Sequence, residues 1–216
     1  MSQLRIALAK GRLLDPSIRL LESMGYDLRE VKETRKLVID DATRNARYLI
    51  AKPMDVPIYV EYGAADVGIV GQDALRESGV NVYEPAVLGY GACRLVVAGK
   101  PEYKDAEWRL LTGLRVATKY PRVAKQYFSA RGLSVEIIEV YGSVELAPAV
   151  GLADLIVDVV DTGGTLRANG LIELDEVFKS QAALIVNRAS HTLKVDEIRG
   201  LIEKINGTRI AADERR

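Results

Sequence analysis

Short, continuously apolar runs rich in Val and Ile alternate along the chain with longer segments in which apolar residues recur at helical spacing. This alternation is typical of parallel strands covered by helices, and it predicts an α/β fold. The predicted strands are 5–9, 67–70, 93–98, 115–118, 135–139, 155–159 and 184–187, and the clearer helices are 15–24, 54–62, 123–130 and 195–204.

The order of these elements predicts two lobes. Two strand-like segments, 36–40 and 46–51, flank a polar run and are expected to add antiparallel strands to the first sheet. Paired glycines in 88–93 precede a new strand and predict a crossing into a second lobe, and the chain is expected to return around 173–178. The predicted lobes are 1–90 plus 176–216 and 91–175, each with a mostly parallel sheet. Small-molecule sites form preferentially in the cleft between lobes, so the active site is expected there.

Composition narrows the classes of function. The 216 residues are 48% hydrophobic and 28% charged, as in an ordinary globular protein. Thirty basic residues balance thirty acidic ones, so the chain has no overall field that would hold nucleic acid. Recognition of a phosphate group must therefore be local.

Few metal ligands of the zinc type are present, because the chain has one Cys, Cys93, and one His, His191. No protein-bound metal site is expected, although carboxylates can contact a Mg²⁺ ion that arrives with a phosphate substrate. No apolar run approaches the about 20 residues that a membrane helix needs. The N-terminal segment does not resemble a signal peptide, which predicts a cytoplasmic location and no membrane association.

The most informative motif follows the predicted strand 155–159. A small-residue turn, Asp161-Thr162-Gly163-Gly164-Thr165, separates this strand from a helix start. Glycines let successive N–H groups point at one anion, and Thr hydroxyls add donors, so Thr162, Gly163, Gly164 and Thr165 predict a phosphate-binding loop. Its place after a buried strand agrees with ligand sites at the carboxyl ends of parallel strands.

Two carboxylates accompany this loop. Asp158 and Asp161 would repel an anion, so we expect them to accept hydrogen bonds from ribose hydroxyls, directly or through Mg²⁺. The alternative interpretation is an ordinary turn in which an Asp caps the next helix. The residues alone leave both interpretations open.

The wider string from Glu145 to Leu166 resembles the signature of the ATP phosphoribosyltransferases, which catalyse the first step of histidine biosynthesis. Further segments resemble the family at 6–13, 34–37, 55–61, 63–71, 93–95 and 117–121. At 216 residues the chain resembles the short form of the family. The resemblance implies a two-lobed fold similar to type II periplasmic binding proteins.

The resemblance also implies a reaction and partners. N1 of the adenine of ATP would join C1 of the ribose of phosphoribosyl pyrophosphate, with inversion, release of pyrophosphate and a requirement for substrate-bound Mg²⁺. Short forms work with a regulatory subunit similar to histidyl-tRNA synthetase, as a homodimer within a hetero-octamer.

Site residues carry over at matching positions. Lys10 and Arg12 follow the first strand and would hold pyrophosphate or triphosphate, and Arg35 would stabilise charge on the leaving group; these three are the expected catalytic residues. Glu145 joins Asp158, Asp161 and the loop as a contact of phosphoribosyl pyrophosphate. For each cation the alternative is a solvated surface residue, and for Glu145 a carboxylate in a first helical turn. The expected nucleotide-binding residues are Gly11, Lys52, Asp66 and Gly71, with Lys52 standing where many relatives carry Arg.

Two competing hypotheses remain at this point. A phosphoribosyltransferase that acts on a free nucleobase would share the phosphate loop and differ in the acceptor. A solute-binding protein would share the two-lobed fold without catalysis, and the lack of an export signal argues against it.

Overall fold

The computed structural model describes residues 3–104 and 107–213. The chain divides into two compact units. The first unit consists of two segments, one that ends at Gly91 and one that begins at Gln181, and the second unit is Ala92–Ser180. The described strands are β1 (Leu4–Ala9), β2 (Val38–Asp41), β3 (Ala46–Ala51), β4 (Val67–Gly71), β5 (Tyr83–Val87), β6 (Cys93–Gly99), β7 (Leu114–Thr118), β8 (Val135–Glu139), β9 (Leu155–Val160), β10 (Ile172–Ser180) and β11 (Ala182–Val186).

Helices follow most of the strands. Short 3-10 turns lie at Pro101–Tyr103 and Glu107–Leu110. The described α-helices are α1 (Leu14–Ser23), α2 (Arg29–Glu33), α3 (Val56–Glu61), α4 (Gln72–Ser78), α5 (Pro121–Ser129), α6 (Leu146–Ala149), α7 (Gly164–Ala168), α8 (Arg188–Leu193) and α9 (Val195–Asp213).

The first unit is built on a six-stranded sheet of order β2-β3-β1-β4-β11-β5. Strands β3, β1 and β4 are parallel, whereas β2, β11 and β5 are each antiparallel to their neighbours. The sheet is buried on both faces: Ile6 and Leu8 of β1 point to the core formed with α1 and α9, and Ala7 and Ala9 point to the core formed with α3. Burial on both faces explains the continuous apolar runs of these strands.

The second unit has a five-stranded sheet of order β10-β6-β9-β7-β8. Strands β9, β7 and β8 are parallel to one another. Strand β6 is antiparallel to β9, and β10 is antiparallel to β6. Its cores lie on both faces: Phe128 of α5 packs with Val116 and Val157 on one, and Leu166 of α7 packs with Ala117 and Ile156 on the other. No helix in the described part of the chain is long and apolar enough to cross a lipid bilayer.

The α/β class and the pair of sheets agree with the prediction, but several details differ. Both sheets are mixed, whereas mostly parallel sheets were predicted. Within the hairpin only β2 is antiparallel, because β3 pairs parallel to β1.

The expected return at 173–178, and the lobe boundary at 175/176, fall inside β10, which pairs with β6 as far as Ser180↔Cys93. Strand β10 was not predicted because its sequence, IELDEVFKS, is highly charged, and β5 was not predicted because it contains Pro85.

Candidate functional site

The parallel strands of the first unit place basic residues at one edge of its sheet. Lys10 follows β1, and its N–H donates to the carbonyl of Ala51 at 2.8 Å, so Lys10 lies beside Lys52, which follows β3. Gly11 then turns the chain with a φ of +85°, a left-handed conformation that favours glycine. Arg12 is the next residue, and the side chains of Lys10, Arg12 and Lys52 are exposed.

Arg35 lies at the same edge. It precedes β2, which runs antiparallel to β3, and the N–H of Ile50 donates to the carbonyl of Leu37 at 2.8 Å. The chain therefore enters β2 where β3 ends, and the exposed Arg35 shares the edge with Lys10 and Lys52. One edge of the sheet is therefore positively charged and suits phosphate groups. It carries four of the predicted residues: Lys10, Arg12, Arg35 and Lys52.

Asp66 does not belong to this edge. It precedes β4, at the opposite end of the sheet, and its carboxylate is fully buried. It accepts hydrogen bonds from the guanidinium of Arg5, from Ser190 Oγ at 2.7 Å and from Lys194 Nζ at 2.7 Å. Burial alone would raise its pKa, but hydrogen bonds from Arg5 and Lys194 lower the pKa of Asp66 to about 2. The structure thus corrects the predicted nucleotide role of Asp66, which holds elements together instead.

Gly71 ends β4 at the carboxyl edge and precedes α4. It is buried, and a Cβ at this position would lie 2.2 Å from Oδ1 of Asp73. The Asp73 side chain therefore packs against the backbone of Gly71, and the nucleotide contact of Gly71 stays a prediction.

The phosphate loop of the second unit begins where β9 ends. The side chains of Thr162 and Thr165 are exposed, and Gly163 has a φ of +74°, which turns the backbone into α7. Within the described residues, the N–H groups of Thr162, Gly163, Gly164 and Thr165 donate no hydrogen bond to the protein. Four neighbouring donors without an internal acceptor, together with two hydroxyls, form a suitable site for a phosphate group.

Asp158 lies on β9 just before the loop, and its side chain is mostly buried. Lys119 Nζ is 3.2 Å from Oδ1 of Asp158, and the N–H of Val159 donates to the same oxygen at 2.8 Å. Burial raises the pKa of Asp158, which the positive charge of Lys119 partly opposes and the negative charge of Glu145 reinforces. Glu145, half-buried at the start of α6, is therefore an electrostatic neighbour of Asp158.

Asp161 is exposed at the start of the loop. Lys119 was included in a segment that resembles the family but received no role from the sequence. The signal that could have found it is a lysine directly after the buried strand β7, which lies next to β9 in the sheet. The parallel pairing of β7 with β9 brings Lys119 to the phosphate-loop edge.

The single Cys and His play no part in this arrangement. Cys93 is buried on β6, and the ring of exposed His191 packs against that of Tyr83 in a tilted arrangement, with ring centroids 5.0 Å apart and planes at 54°. Among the residues that the structure describes, no group of three or more His, Cys, Asp or Glu side chains could hold a metal ion.

Residues 52–207 match the family model described as HisG: ATP phosphoribosyltransferase. The chain belongs to the ATP phosphoribosyltransferase family. An ATP phosphoribosyltransferase of Thermoanaerobacter sp. (strain X514) is 49% identical over 206 residues, which cover 95% of both chains. One of Ruminiclostridium cellulolyticum is 47% identical over 207 residues, 95% of this chain and 96% of the relative. Membership confirms the predicted enzyme class and its reaction, the first step of histidine biosynthesis.

Solved structures confirm the fold. A chain of the ATP phosphoribosyl transferase (HisG:HisZ) complex from Thermotoga maritima is 32% identical, with a TM-score of 0.82 over 95% of this chain and 98% of that one. The periplasmic aliphatic sulphonate binding protein SsuA from Escherichia coli is 14% identical, with a TM-score of 0.57 over 99% of this chain and 72% of that one. This second likeness concerns the fold alone and confirms the architecture of type II periplasmic binding proteins.

Proposed function

We propose that the phosphate loop Thr162–Thr165 binds the 5'-phosphate of phosphoribosyl pyrophosphate, whose phosphoribosyl group the enzyme transfers to N1 of ATP. The products are phosphoribosyl-ATP and pyrophosphate, in the first step of L-histidine biosynthesis. The observation that carries the assignment is the set of N–H groups in this loop that have no acceptor within the described chain. In a phosphoribosyltransferase, the phosphate of the substrate is the group that suits such donors.

The carboxylates beside the loop are assigned to the ribose. Asp158 and Asp161 flank the last residues of β9, and Glu145 is the electrostatic neighbour of Asp158. Ionised carboxylates are acceptors only, so vicinal hydroxyls are suitable partners for them. Positioning the ribose through its hydroxyls and its phosphate fixes C1 for attack.

The positively charged edge of the first unit is assigned to the remaining phosphates. Lys10, Arg12 and Arg35 would bind pyrophosphate or triphosphate, and Gly11 and Lys52 would contact the nucleotide. As N1 attacks C1, the bond from C1 to the pyrophosphate oxygen breaks and its electron pair leaves with that oxygen. Cations beside the leaving oxygen would stabilise this developing negative charge, and alignment of the substrates would supply most of the remaining catalysis. No covalent nucleophile is needed.

Mg²⁺ fits this arrangement as part of the substrate. The described residues form no cluster of ligands for a resident ion, whereas the exposed carboxylate of Asp161 can contact an ion held by pyrophosphate oxygens. When bound, the ion neutralises charge on the leaving pyrophosphate. We propose that the enzyme acts in the cytoplasm, as the sequence predicts.

An acceptor assay tests the proposed reaction. Pyrophosphate release from phosphoribosyl pyrophosphate is measured with ATP, and in parallel with adenine and other free purines, in the presence of a HisZ-type regulatory subunit. We expect release with ATP only, with a product that is a phosphoribosyl adduct of ATP by mass. Release with a free purine alone would assign the chain to the nucleobase class.

Thr165→Val tests the loop itself. The substitution keeps the shape of the side chain and removes an exposed hydroxyl, so we expect the KM for phosphoribosyl pyrophosphate to rise about tenfold while the KM for ATP changes little. Thr165→Ser is the matched control, because it retains the hydroxyl and should stay close to the wild type. Equal KM values for the Val variant and the wild type would remove Thr165 from the site.

A further inference from the structure

The turn after β7 is fixed by one buried hydroxyl. Thr118, the last residue of β7, donates from Oγ1 to the carbonyl of Val157 at 2.6 Å and accepts from the N–H of Tyr120 at 2.9 Å. Thr118 and Tyr120 are both buried. These two hydrogen bonds tie the end of β7 to β9 and set the direction in which Lys119 leaves the sheet.

Lys119 leaves the sheet towards Asp158. Its Nζ lies 3.2 Å from Oδ1 of Asp158 and 5.3 Å from the centre of the Tyr120 ring. The Lys119 side chain is 39% exposed and that of Asp158 is 19% exposed. Lys119 thus places a cation, still partly open to solvent, beside a carboxylate whose burial disfavours its charged form.

The two oxygens of Asp158 have different surroundings. Oδ1 is held by both Lys119 Nζ and the N–H of Val159. Oδ2 has no hydrogen-bond partner in the part of the chain that the structure describes. One oxygen is thus anchored, and the other is available to a ligand beside the phosphate loop.

We propose that Lys119 is a positioning residue, which anchors Oδ1 of Asp158 so that Oδ2 accepts a hydrogen bond from a ribose hydroxyl of phosphoribosyl pyrophosphate. The inference rests on the proposed function, because it assumes that Asp158 contacts the ribose. It assigns Lys119 no direct contact with the substrate.

The charges around Asp158 predict how the loss of Lys119 acts. The groups that influence the Asp158 carboxylate are the cation of Lys119, after β7, and the carboxylate of Glu145, at α6. Burial raises the pKa of Asp158, and Lys119 opposes this shift. Without Lys119, both burial and Glu145 favour the protonated form, which is a poorer acceptor for a hydroxyl.

Lys119→Gln measures the effect in the enzyme with its regulatory subunit present. We expect the KM for phosphoribosyl pyrophosphate to rise about tenfold with a small change in kcat, because the charge-assisted contact between Asp158 and the bound substrate is weakened. The acid limb of kcat/KM should move to higher pH. Lys119→Arg keeps the cation and should restore most of the loss. Lys125→Gln removes an exposed cation of α5 and is the matched control, with unchanged KM and pH profile.

A double-mutant cycle with Asp158→Asn separates positioning from direct binding. If Lys119 acts through Asp158, the double variant should have the KM of Asp158→Asn alone. Additive losses, or a Gln variant with the wild-type KM and pH profile, would overturn the inference. Thermal unfolding of each variant checks that it folds. If wild-type enzyme formed no adduct from phosphoribosyl pyrophosphate and ATP, the proposed function would fail instead, independently of Lys119.

Discussion

At the scale of single residues, the backbone of the phosphate loop depends on Gly163. Its φ of +74° lies in the left-handed region, and a Cβ there would lie 3.0 Å from Arg167 Nη1 and 3.3 Å from Glu173 Oε1. We expect Gly163→Ala to lower the free energy of unfolding by about 1–2 kcal/mol, because alanine is strained in this conformation. It should also raise the KM for phosphoribosyl pyrophosphate by turning the N–H groups of the loop.

Urea denaturation and initial-rate kinetics measure the two effects. Gly164→Ala is the control for stability, since the φ of Gly164 is not positive and a Cβ there would lie 3.7 Å from Thr162 Oγ1, an ordinary van der Waals distance. This control should unfold at the wild-type urea concentration or slightly above it. Equal stability of the Gly163 and Gly164 variants would show that the loop relaxes around a side chain.

At the scale of elements, the buried carboxylate of Asp66 joins β1 to the segment that carries α8. Arg5, Ser190 and Lys194 all donate to it. Asp66→Asn leaves Arg5 and Lys194 without their counter-charge, so we expect the free energy of unfolding at neutral pH to fall by about 3 kcal/mol. Enzyme activity per folded molecule should change much less, because Asp66 lies at the sheet end away from Lys10 and Lys52.

The same carboxylate predicts a pH dependence of stability. The pKa of Asp66 is lowered to about 2 in the folded chain, below the roughly 3.9 of an unfolded Asp. Its contribution is therefore complete above about pH 4 and is lost as the pH falls towards about 2. The difference in unfolding free energy between wild type and Asp66→Asn should shrink across this window when measured by urea titration. A constant difference would assign the loss to packing alone.

The sequence could predict elements whose pattern is local and uniform. Strands buried on both faces, such as β1, β4 and β9, appear as continuous apolar runs, and the phosphate loop follows one of them. By contrast, β10 is charged and irregular, and its place beside β6 comes from pairing over a long sequence separation. Local pattern contains no such information, which is why the return to the first unit was misplaced.

The site residues, too, could be predicted only where the pattern is local. Thr162, Gly163, Gly164 and Thr165 are adjacent in sequence, so a motif could reveal them. Asp66 also belongs to a local motif, but that motif gave the wrong role for it. Its partners Ser190 and Lys194 come from the other end of the chain, where a local pattern cannot reveal them. Lys119 was left without a role for a similar reason, since its contact with Asp158 exists only through the pairing of β7 with β9.

At the scale of the whole molecule, the balance of thirty basic and thirty acidic residues means that assembly cannot depend on overall charge. We propose a regulatory subunit similar to histidyl-tRNA synthetase as the partner, in a hetero-octamer that contains homodimers of this chain. The Thermotoga maritima structure is of a HisG:HisZ complex, and its matching chain is similar to this one over 95% of this chain's length.

Co-expression with a tagged HisZ-type subunit tests this assembly. We expect the chain to copurify with the tag, and light scattering on the eluted complex to give equal numbers of the two subunits. A tagged histidyl-tRNA synthetase of the same host is the control and should retain none of the chain. Elution of the chain at its unpartnered mass, with HisZ present in excess, would contradict the proposal.

The register shifts in β10 have a consequence for this assembly. Strand β10 is nine residues long and forms one border of its sheet, so an unbroken ladder there would be a template for strand addition by another molecule. Register shifts in its pairing with β6, between Glu173 and Asp175 and between Glu176 and Phe178, make β10 irregular. At the border of the other sheet, Pro85 in β5 lacks the N–H that a new neighbour would need. Strands β10 and β5 are therefore poor templates for the addition of a strand from another molecule.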